Sequence, residues 1–362
     1  MIRLARCSTA IGTIALASSP AFAHHPSAAG GTGGSGPINV ISATTLDQGQ
    51  GSAAVLFELI QLGSLSDGLL ETLAGNDVHA HSIDRIVSPS VVLAYGLLND
   101  LTVSVRLPHV KRKNIREGHH EHEEEHEEEV EHVEIESRGD SSGIGDLTLM
   151  GQYRFLNNRR SGTEAALLLG VKAPTGKTSE IDANGEIFEA EFQPGSGSWD
   201  GLFGVAVSQR LGAISLHASG LYTLVTEGTQ NTDLGDRFHY GVAVSYRIGS
   251  TPAQAPMYAG AHKHGSHTHA EGSAAHAHQE ETRALAVDLI LELNGEWSAK
   301  QDIAGTKDDN SGGHTLYISP GIRLTHDRIS AFASVGIPVV NDLNGFQSEP
   351  DWRLVTGLAV AF

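Results

Sequence analysis

The chain has 362 residues, a formal net charge of −19 at pH 7, 42 glycines and one cysteine, Cys7. Because nucleic acids attract positively charged proteins, this charge argues against a nucleic-acid partner. Downstream of the N-terminus no apolar run reaches about 18 residues, so the sequence predicts no membrane-spanning helix.

The first 23 residues have the three parts of a secretory signal peptide. Arg3 and Arg6 form its charged start, a short apolar core follows, and Ala-Phe-Ala at 21–23 is the cleavage site. Loss of the two arginines takes the charge from −19 to −21. We expect an exported mature chain that starts at His24 and has no disulfide, redox thiol pair or thiolate zinc site. Residues 24–51 are predicted to be a Gly/Ser-rich linker, disordered over 24–37.

From about residue 52 the chain alternates apolar with small or polar residues, which is the period-two pattern of β-strands. In RFHYGVAVSYRI (237–248) the even positions are aromatic or aliphatic, and the odd positions hold Arg, His, Gly, Ala and Ser. Twelve such strands are predicted, with approximate limits 52–62, 86–97, 101–110, 143–155, 163–173, 199–210, 214–226, 237–248, 283–297, 314–325, 329–340 and 351–362.

An even number of strands of about ten residues, each with one apolar face, is typical of outer-membrane barrels. Short turns alternate with longer loops at 63–85, 111–142, 174–198, 227–236, 298–313 and 341–350. A soluble two-sheet sandwich also has alternating strands, but inward faces rich in Gly, Ser and charge do not suit a sandwich core. We therefore predict an all-β, transmembrane, antiparallel up-and-down β-barrel over 52–362, carrying two disordered His-rich loops. It is expected in the outer membrane of a Gram-negative cell, with membrane lipid and the barrel-assembly machinery as partners.

Five segments carry a resemblance to a known family: GIGDLTLMGQYRF (143–155), GVKAPTGKT (170–178), PGSGSWDGLFGVAVSQ (194–209), GDRFHYGVAVSYR (235–247) and SPGIRLT (319–325). The chain resembles the outer-membrane transporters labelled phenol-degradation meta-pathway proteins, in order, over most of residues 45–362. That resemblance implies an outer-membrane channel or small-molecule transporter with no catalytic residues.

Motifs for catalysis are weak. VKAPTGKT (171–178) ends like a phosphate-binding loop, but five residues separate Gly170 from Gly176 where that motif has four. No G-x-S-x-G elbow is present. His217 and His239 fall on inward strand faces and could pair with a serine, although a lone inward histidine more often lines a pore. We therefore predict that the protein is not an enzyme.

Charged residues at inward positions would each cost a few kcal/mol on a lipid face. The side chains predicted to line the lumen are Glu58, Arg106, Arg154, Lys172, His217, His239, Arg247, Asp288, Glu292, Arg323 and Arg353. They could cross-link the lumen as a structural plug or line a narrow polar path. Twelve strands lie between eight, which side chains can fill, and sixteen, which leave a water channel. A narrow or gated pore is the favoured alternative.

Two His-rich runs interrupt the strands. With both termini periplasmic, the first lies in the outer connection 111–142 and the second in the periplasmic connection 249–282. The first run holds His119, His120, His122, His126 and His132 among eleven glutamates between 117 and 136. If it is helical, His122 and His126 share a face. The second run has three H-x-H pairs, His262/His264, His267/His269 and His276/His278.

Neutral imidazole is a ligand for Zn²⁺, Cu²⁺ and Ni²⁺. The runs could be solvated tethers or pH sensors, but eleven of the twenty histidines lie in them, which favours metal binding. No cofactor is required. The leading hypothesis is a channel or transporter for divalent transition metal ions captured by these loops. The alternatives are a passive channel for small hydrophobic or aromatic compounds, or a non-transporting surface protein that binds metal.

Overall fold

A computed structural model describes residues 36–123, 130–249 and 285–362, without the side chains of 119–123 and 130–132. The strands are β1 (Gly51–Gly63), β2 (His81–Ser82), β3 (Arg85–Leu98), β4 (Leu101–Glu123), β5 (Val130–Ile144), β6 (Leu147–Asn158), β7 (Thr163–Ala173), β8 (Asp200–Leu211), β9 (Ile214–Leu224), β10 (Thr232–Asp233), β11 (Arg237–Ile248), β12 (Ala286–Ser298), β13 (Asp302–Ile303), β14 (Thr306–Lys307), β15 (Gly313–His326), β16 (Ile329–Leu343) and β17 (Glu349–Ala361). One α-helix, α1 (Asp67–Ala74), and a 3₁₀ turn at Thr229–Asn231 lie in connections.

Twelve antiparallel strands close into a barrel, as the alternation predicted. Their order is β3, β1, β17, β16, β15, β12, β11, β9, β8, β7, β6 and β4, and β4 pairs again with β3. β5 also pairs with β4 and continues β6 across two residues, so these two act as one long strand. The first and last strands close the wall, with Ser52 opposite Ala361.

The outside of the wall is apolar because successive side chains of a strand point to opposite faces. Val91, Leu93 and Tyr95 of β3 are exposed, while Val92 and Ala94 between them are buried. A continuous exposed apolar band suits lipid rather than water. Among the described residues no helix is both long and apolar enough to cross a membrane.

The two ends of the barrel differ. The turn end carries Gly51, Phe362 and the short connections 99–100, 159–162, 212–213 and 327–328. The loop end carries 64–84, the β4–β5 hairpin, 174–199, 225–236, 299–312 and 344–348.

The prediction of a disordered loop over 111–142 was wrong for its described residues. β4 continues to Glu123 and β5 begins at Val130, so the wall extends as a hairpin beyond the barrel. Ile135 of β5 packs against Leu70 and Leu73 of α1, which gives the extension an apolar support. α1 itself was not predicted; Ser66 caps it by accepting a hydrogen bond from the Leu69 backbone amide.

Candidate functional site

Residues 36–46 lie across the lumen, and we call this segment the plug. The prediction that 24–51 is a linker was wrong here: Ile38, Val40, Ile41 and Ala43 are buried inside the barrel. Burying these apolar side chains favours the docked position by roughly 25 cal/mol for each Å² of apolar surface removed from water. Because residues 24–51 are Gly/Ser-rich as a whole, their composition did not reveal the short apolar stretch within them.

Glu292 of β12 anchors the plug. Its carboxylate accepts hydrogen bonds from the backbone amides of Ile38 (2.9 Å), Asn39 (2.9 Å) and Val40 (3.1 Å), and from the Asn39 side-chain amide (2.5 Å). Glu292 is 1% exposed. A buried carboxylate is costly unless hydrogen bonds satisfy it, and the plug supplies four such donors.

The rest of the plug backbone is held by side chains of the wall, since it pairs with no strand. Hydroxyl groups of the wall accept from three amides: Ile41 N to Ser219 Oγ (3.0 Å), Ala43 N to Ser208 Oγ (2.9 Å) and Leu46 N to Thr102 Oγ1 (2.8 Å). Gln152 Nε2 donates to the carbonyls of Ser42 and Thr44 (2.9 Å each), and Arg323 donates to the Pro37 carbonyl (3.2 Å). Arg353 also donates to the side-chain oxygen of Asn39 (2.5 Å). These contacts pair many of the backbone amides and carbonyls that the plug buries.

Inward glycines make room for the plug. A Cβ at Gly241 would lie 2.8 Å from Val40 Cγ2, and one at Gly321 would lie 2.8 Å from Ile38 Cδ1. The inward Gly and Ser residues noted in the sequence thus form the docking surface of the plug: glycine provides space and serine provides acceptors.

A cavity of about 170 Å³, which we call the chamber, lies beside the plug. Val92 lines it and shares an apolar cluster with Ile38, while Leu202 and Met150 line it and pack with Ile41. Its apolar lining is Val92, Pro108, Val110, Met150, Pro194, Leu202 and Leu234, and its charged or histidine lining is Arg106, Asp146, Lys172, Asp200, Arg237 and His239. The lining therefore combines apolar and charged side chains.

At the loop end the chamber is lined by residues 193–196. They belong to the segment 187–198, which we call the cap. Phe192 is buried, and its carbonyl accepts hydrogen bonds from Arg112 (3.2 Å) and Ser141 (2.5 Å). Asp146 accepts hydrogen bonds from the backbone amide (2.9 Å) and hydroxyl (2.7 Å) of Ser196. The cap is thus tied to the wall by buried polar contacts.

Lys172 joins the cap to two wall carboxylates. Its Nζ lies 2.5 Å from Asp200 and 3.3 Å from Asp146, and donates to Ser196 Oγ at 2.6 Å. The side chains of Asp146 and Asp200 are 6% and 1% exposed. Charge in the chamber wall is therefore largely compensated by neighbours.

The structure places all eleven predicted lumen residues on inward positions. Three of them, Arg106, Lys172 and His239, line the chamber. Three others, Glu292, Arg323 and Arg353, hold the plug, and Glu58 lies 3.6 Å from Arg353. The remaining residues contact neighbours in the wall: His217 contacts Ser208, Arg154 forms ion pairs with Asp100 and Glu164, and Arg247 forms an ion pair with Asp288. Most of them make ion pairs or hold the plug, so cross-linking of the lumen accounts for more of these contacts than an open polar path does.

Ser208 and His217 form the serine–histidine pair considered from the sequence. Ser208 Oγ lies 2.8 Å from His217 Nδ1. The same hydroxyl accepts the Ala43 amide hydrogen bond and lies 3.3 Å from the Ser42 hydroxyl. The pair therefore lies under the plug and takes part in docking it.

The predicted metal ligands are only partly described. His119, His120 and His122 lie on β4 and His132 on β5, with Glu121 opposite His132, so His122 lies in a strand and not in a helix. His126, His262, His264, His267, His269, His276 and His278 lie outside the described residues.

A different histidine cluster lies at the loop end. Donor atoms of His79, His81 and Glu189 are within 4.8 Å of one another. The sequence interpretation missed them, although His79-Ala80-His81 has the same H-x-H spacing as the three pairs of the second run. That spacing was the available signal.

His81 lies among three carboxylates. Its Nε2 is 3.1 Å from Glu117 and 3.5 Å from Glu189, and its Nδ1 is 3.4 Å from Glu191. Burial alone would lower the pKa of His81, but hydrogen bonds to Glu117 and Glu191 outweigh it and raise the pKa well above 6.5. The imidazolium ties the cap residues Glu189 and Glu191 to β4.

This raised pKa predicts a pH-dependent contribution to stability in metal-free protein. Because the pKa is higher in the folded state, the stabilisation by His81 is full below about pH 6.5 and is lost as pH rises through the raised value. We expect the difference in melting temperature between wild type and His81→Gln, measured with a chelator present, to be largest near pH 6 and to shrink towards pH 9. A difference that grows with pH would contradict this.

Comparison with known proteins shows the following. A family model described as "Putative MetA-pathway of phenol degradation" matches residues 70–296. An outer-membrane channel from Pseudomonas putida F1 is similar in structure, with a TM-score of 0.51 at 15% identity over 88% of this chain and 98% of that chain. The β domain of the Bordetella autotransporter BrkA (TM-score 0.41, 9% identity, 87% and 100% covered) and the CymD monoaromatic hydrocarbon channel (0.38, 8%, 87% and 88%) are less similar. No curated protein sequence matches. The likeness to the Pseudomonas putida channel shows a shared outer-membrane barrel fold.

Proposed function

Since the chain belongs to the phenol-degradation MetA-pathway family, we propose that it is a gated outer-membrane channel for small, partly apolar molecules. In this proposal the turn end faces the periplasm, and the resting lumen is closed by the plug and the cap. Solute passes when these segments move, without energy input.

The observation that carries the proposal is the chamber of about 170 Å³ inside the barrel, beside the plug and the cap. Neither the plug nor the cap belongs to the barrel wall. Side chains of the wall hold the plug, and the cap is held by side chains and by backbone hydrogen bonds such as Gly195 N to the Lys177 carbonyl (2.9 Å). A wall alone would keep its form if such segments moved, because its strands are paired all round. A closed barrel with removable internal segments is suited to gating.

The chamber favours a neutral, ring-sized solute. An engineered apolar cavity of about 150 Å³ binds benzene, so a chamber of about 170 Å³ admits one aromatic ring. The apolar lining side chains would contact the ring, and a polar lining side chain would orient a hydroxyl group. Lys172 is already paired with Asp146 and Asp200, and His239 lies 3.0 Å from Glu296, so little uncompensated charge is offered to an ion. This supports the aromatic-compound alternative over the metal-transport hypothesis, which stays a prediction.

Chamber binding can be tested by titrating phenol into the detergent-folded protein in a calorimeter. Met150 lines the chamber, and a Met150→Trp variant should fill it and abolish binding. Leu97→Trp, at an exposed position of the outer wall, is the matched control and should bind phenol like wild type. Equal heats in wild type and Met150→Trp would contradict the assignment of the solute site.

Cross-linking the plug should hold the channel closed. Ser42 and Ser208 hydroxyls lie 3.3 Å apart, so a Ser42→Cys/Ser208→Cys variant can form a disulfide with little movement. In planar bilayers we expect the oxidised variant to lose the openings that wild type shows, and a reductant to restore them. The single variants, which cannot cross-link, serve as controls. Openings that persist in the fully oxidised protein would exclude the plug as the gate.

A further inference from the structure

The cluster at the loop end has the donors of a transition-metal site. His79 and His81 each offer a ring nitrogen and Glu189 offers a carboxylate oxygen, all within 4.8 Å of one another. In a tetrahedral zinc site with bonds of about 2.0–2.1 Å, donors lie about 3.4 Å apart. The donor atoms must therefore move closer together by up to about 1.4 Å. His79 is exposed and the Glu189 side chain is 44% exposed, so both can rotate without repacking a core.

Space and charge at the cluster also suit a cation. The three side chains line a cavity of about 460 Å³ at the loop end, together with Glu191 and Asp308. Three carboxylates, those of Glu117, Glu189 and Glu191, lie within 3.5 Å of the His81 ring nitrogens. Carboxylates gathered in this way gain from a divalent ion that compensates their charge.

The surroundings of His81 fix its ring as a ligand requires. Each ring nitrogen has a carboxylate within 3.4 Å, Glu117 on Nε2 and Glu191 on Nδ1. When a metal takes one nitrogen, the carboxylate beside the other nitrogen is close enough to accept its N–H, an arrangement that orients metal-bound histidines. Phe192 contacts the ring edge-on with centroids 4.9 Å apart, which limits its rotation.

We propose that His79, His81 and Glu189 form a binding site for one divalent transition metal ion of the zinc type, with water completing the coordination. The site goes beyond the channel function and involves none of the histidines singled out from the sequence. It connects the 64–84 connection to the cap, because Glu189 is a cap residue. β4 flanks it through Glu117, two residues before the His-rich run begins at His119.

The test uses zinc alone and a full-length background in which the eleven histidines of the two runs are replaced by asparagine. Calorimetry of this detergent-folded protein should show one zinc ion per chain. His79→Ala and Glu189→Gln in the same background should each weaken binding about tenfold or more, and Glu117→Gln by about tenfold, as loss of an orienting partner does. His326→Ala, at the turn end, is the matched control and should bind zinc unchanged.

Cobalt titration gives an absorption signal that would not change if His79 had only a structural role. Co²⁺ in the background protein should produce intense visible absorption typical of four-coordination, and His79→Ala should lose it. His79 is exposed, so this variant is expected to fold; Glu189→Gln keeps the side-chain shape as a second check. Unchanged zinc stoichiometry and affinity in both variants, or no bound zinc in the background protein, would overturn the proposal. Neither result bears on the plug, whose cross-linking test is independent.

Discussion

Replacing Glu292 with alanine is expected to raise the open probability of the channel about tenfold or more. Glu292 accepts hydrogen bonds from the amides of Ile38, Asn39 and Val40 and from the Asn39 side chain. A hydrogen bond to a charged group contributes roughly 1.5–3 kcal/mol, and a donor left buried without a partner adds a penalty. Since about 1.4 kcal/mol changes an equilibrium constant tenfold, loss of one such contact is sufficient.

Single-channel recordings in planar bilayers measure this effect directly. Glu71→Ala, which removes an exposed glutamate of α1, is the control and should gate like wild type. The phenol titration adds a second measurement, because release of the plug should also disturb the chamber wall. An open probability equal to wild type in a folded Glu292→Ala barrel would show that docking of the plug does not limit conduction.

Replacing Lys172 with methionine is expected to destabilise the barrel by about 3–5 kcal/mol. The change removes the only cation within ion-pair distance of Asp146 and Asp200 among the described residues. Both carboxylates are nearly fully buried, and breaking a buried pair by removing one partner leaves an uncompensated charge. Methionine keeps much of the lysine volume, so the loss of stability would come from the missing charge rather than from packing.

Urea unfolding in detergent gives the difference in the free energy of unfolding. Lys307→Met is the matched control: Lys307 lies 3.2 Å from Asp302, but its side chain is 60% exposed, and exposed pairs contribute only about 0–1 kcal/mol. Because Lys172 also donates to Ser196, proteolysis of the cap should be faster in Lys172→Met. Similar unfolding curves for the two variants would mean that water enters the chamber and solvates the carboxylates.

Most of the wall could be predicted from the sequence because its rule is local. Each strand alternates inward and outward residues, and this pattern can be recognised within about ten residues of sequence. The predicted segment 237–248, for example, coincides with β11. The extension of β4 and β5 was missed because its His/Glu composition suggests a solvated loop. Its strand structure depends on cross-strand pairing and on the contact of Ile135 with α1, which composition does not show.

The interior could not be predicted in the same way because its contacts join distant parts of the chain. Ile38 and Glu292 are 254 residues apart. The sequence around either residue gives no indication that it contacts the other. The Gly and Ser residues of the inward faces were noticed, but a water-filled lumen and a docked segment both explain them. His79 and Glu189 come from two separate connections, so only the H-x-H spacing could have pointed to the proposed metal site.

Docking of the plug also depends on closure of the wall. The plug precedes the strands in the chain, yet its partners Arg323 and Arg353 lie on β15 and β17, near the other end of the barrel sequence. β17 is also the strand that pairs with β1 and removes the free edges of the sheet. Pairing of β17 with β1 therefore completes both the wall and the docking surface. A barrel without this pairing would have free sheet edges and would also lose the Arg353 contact with Asn39 of the plug.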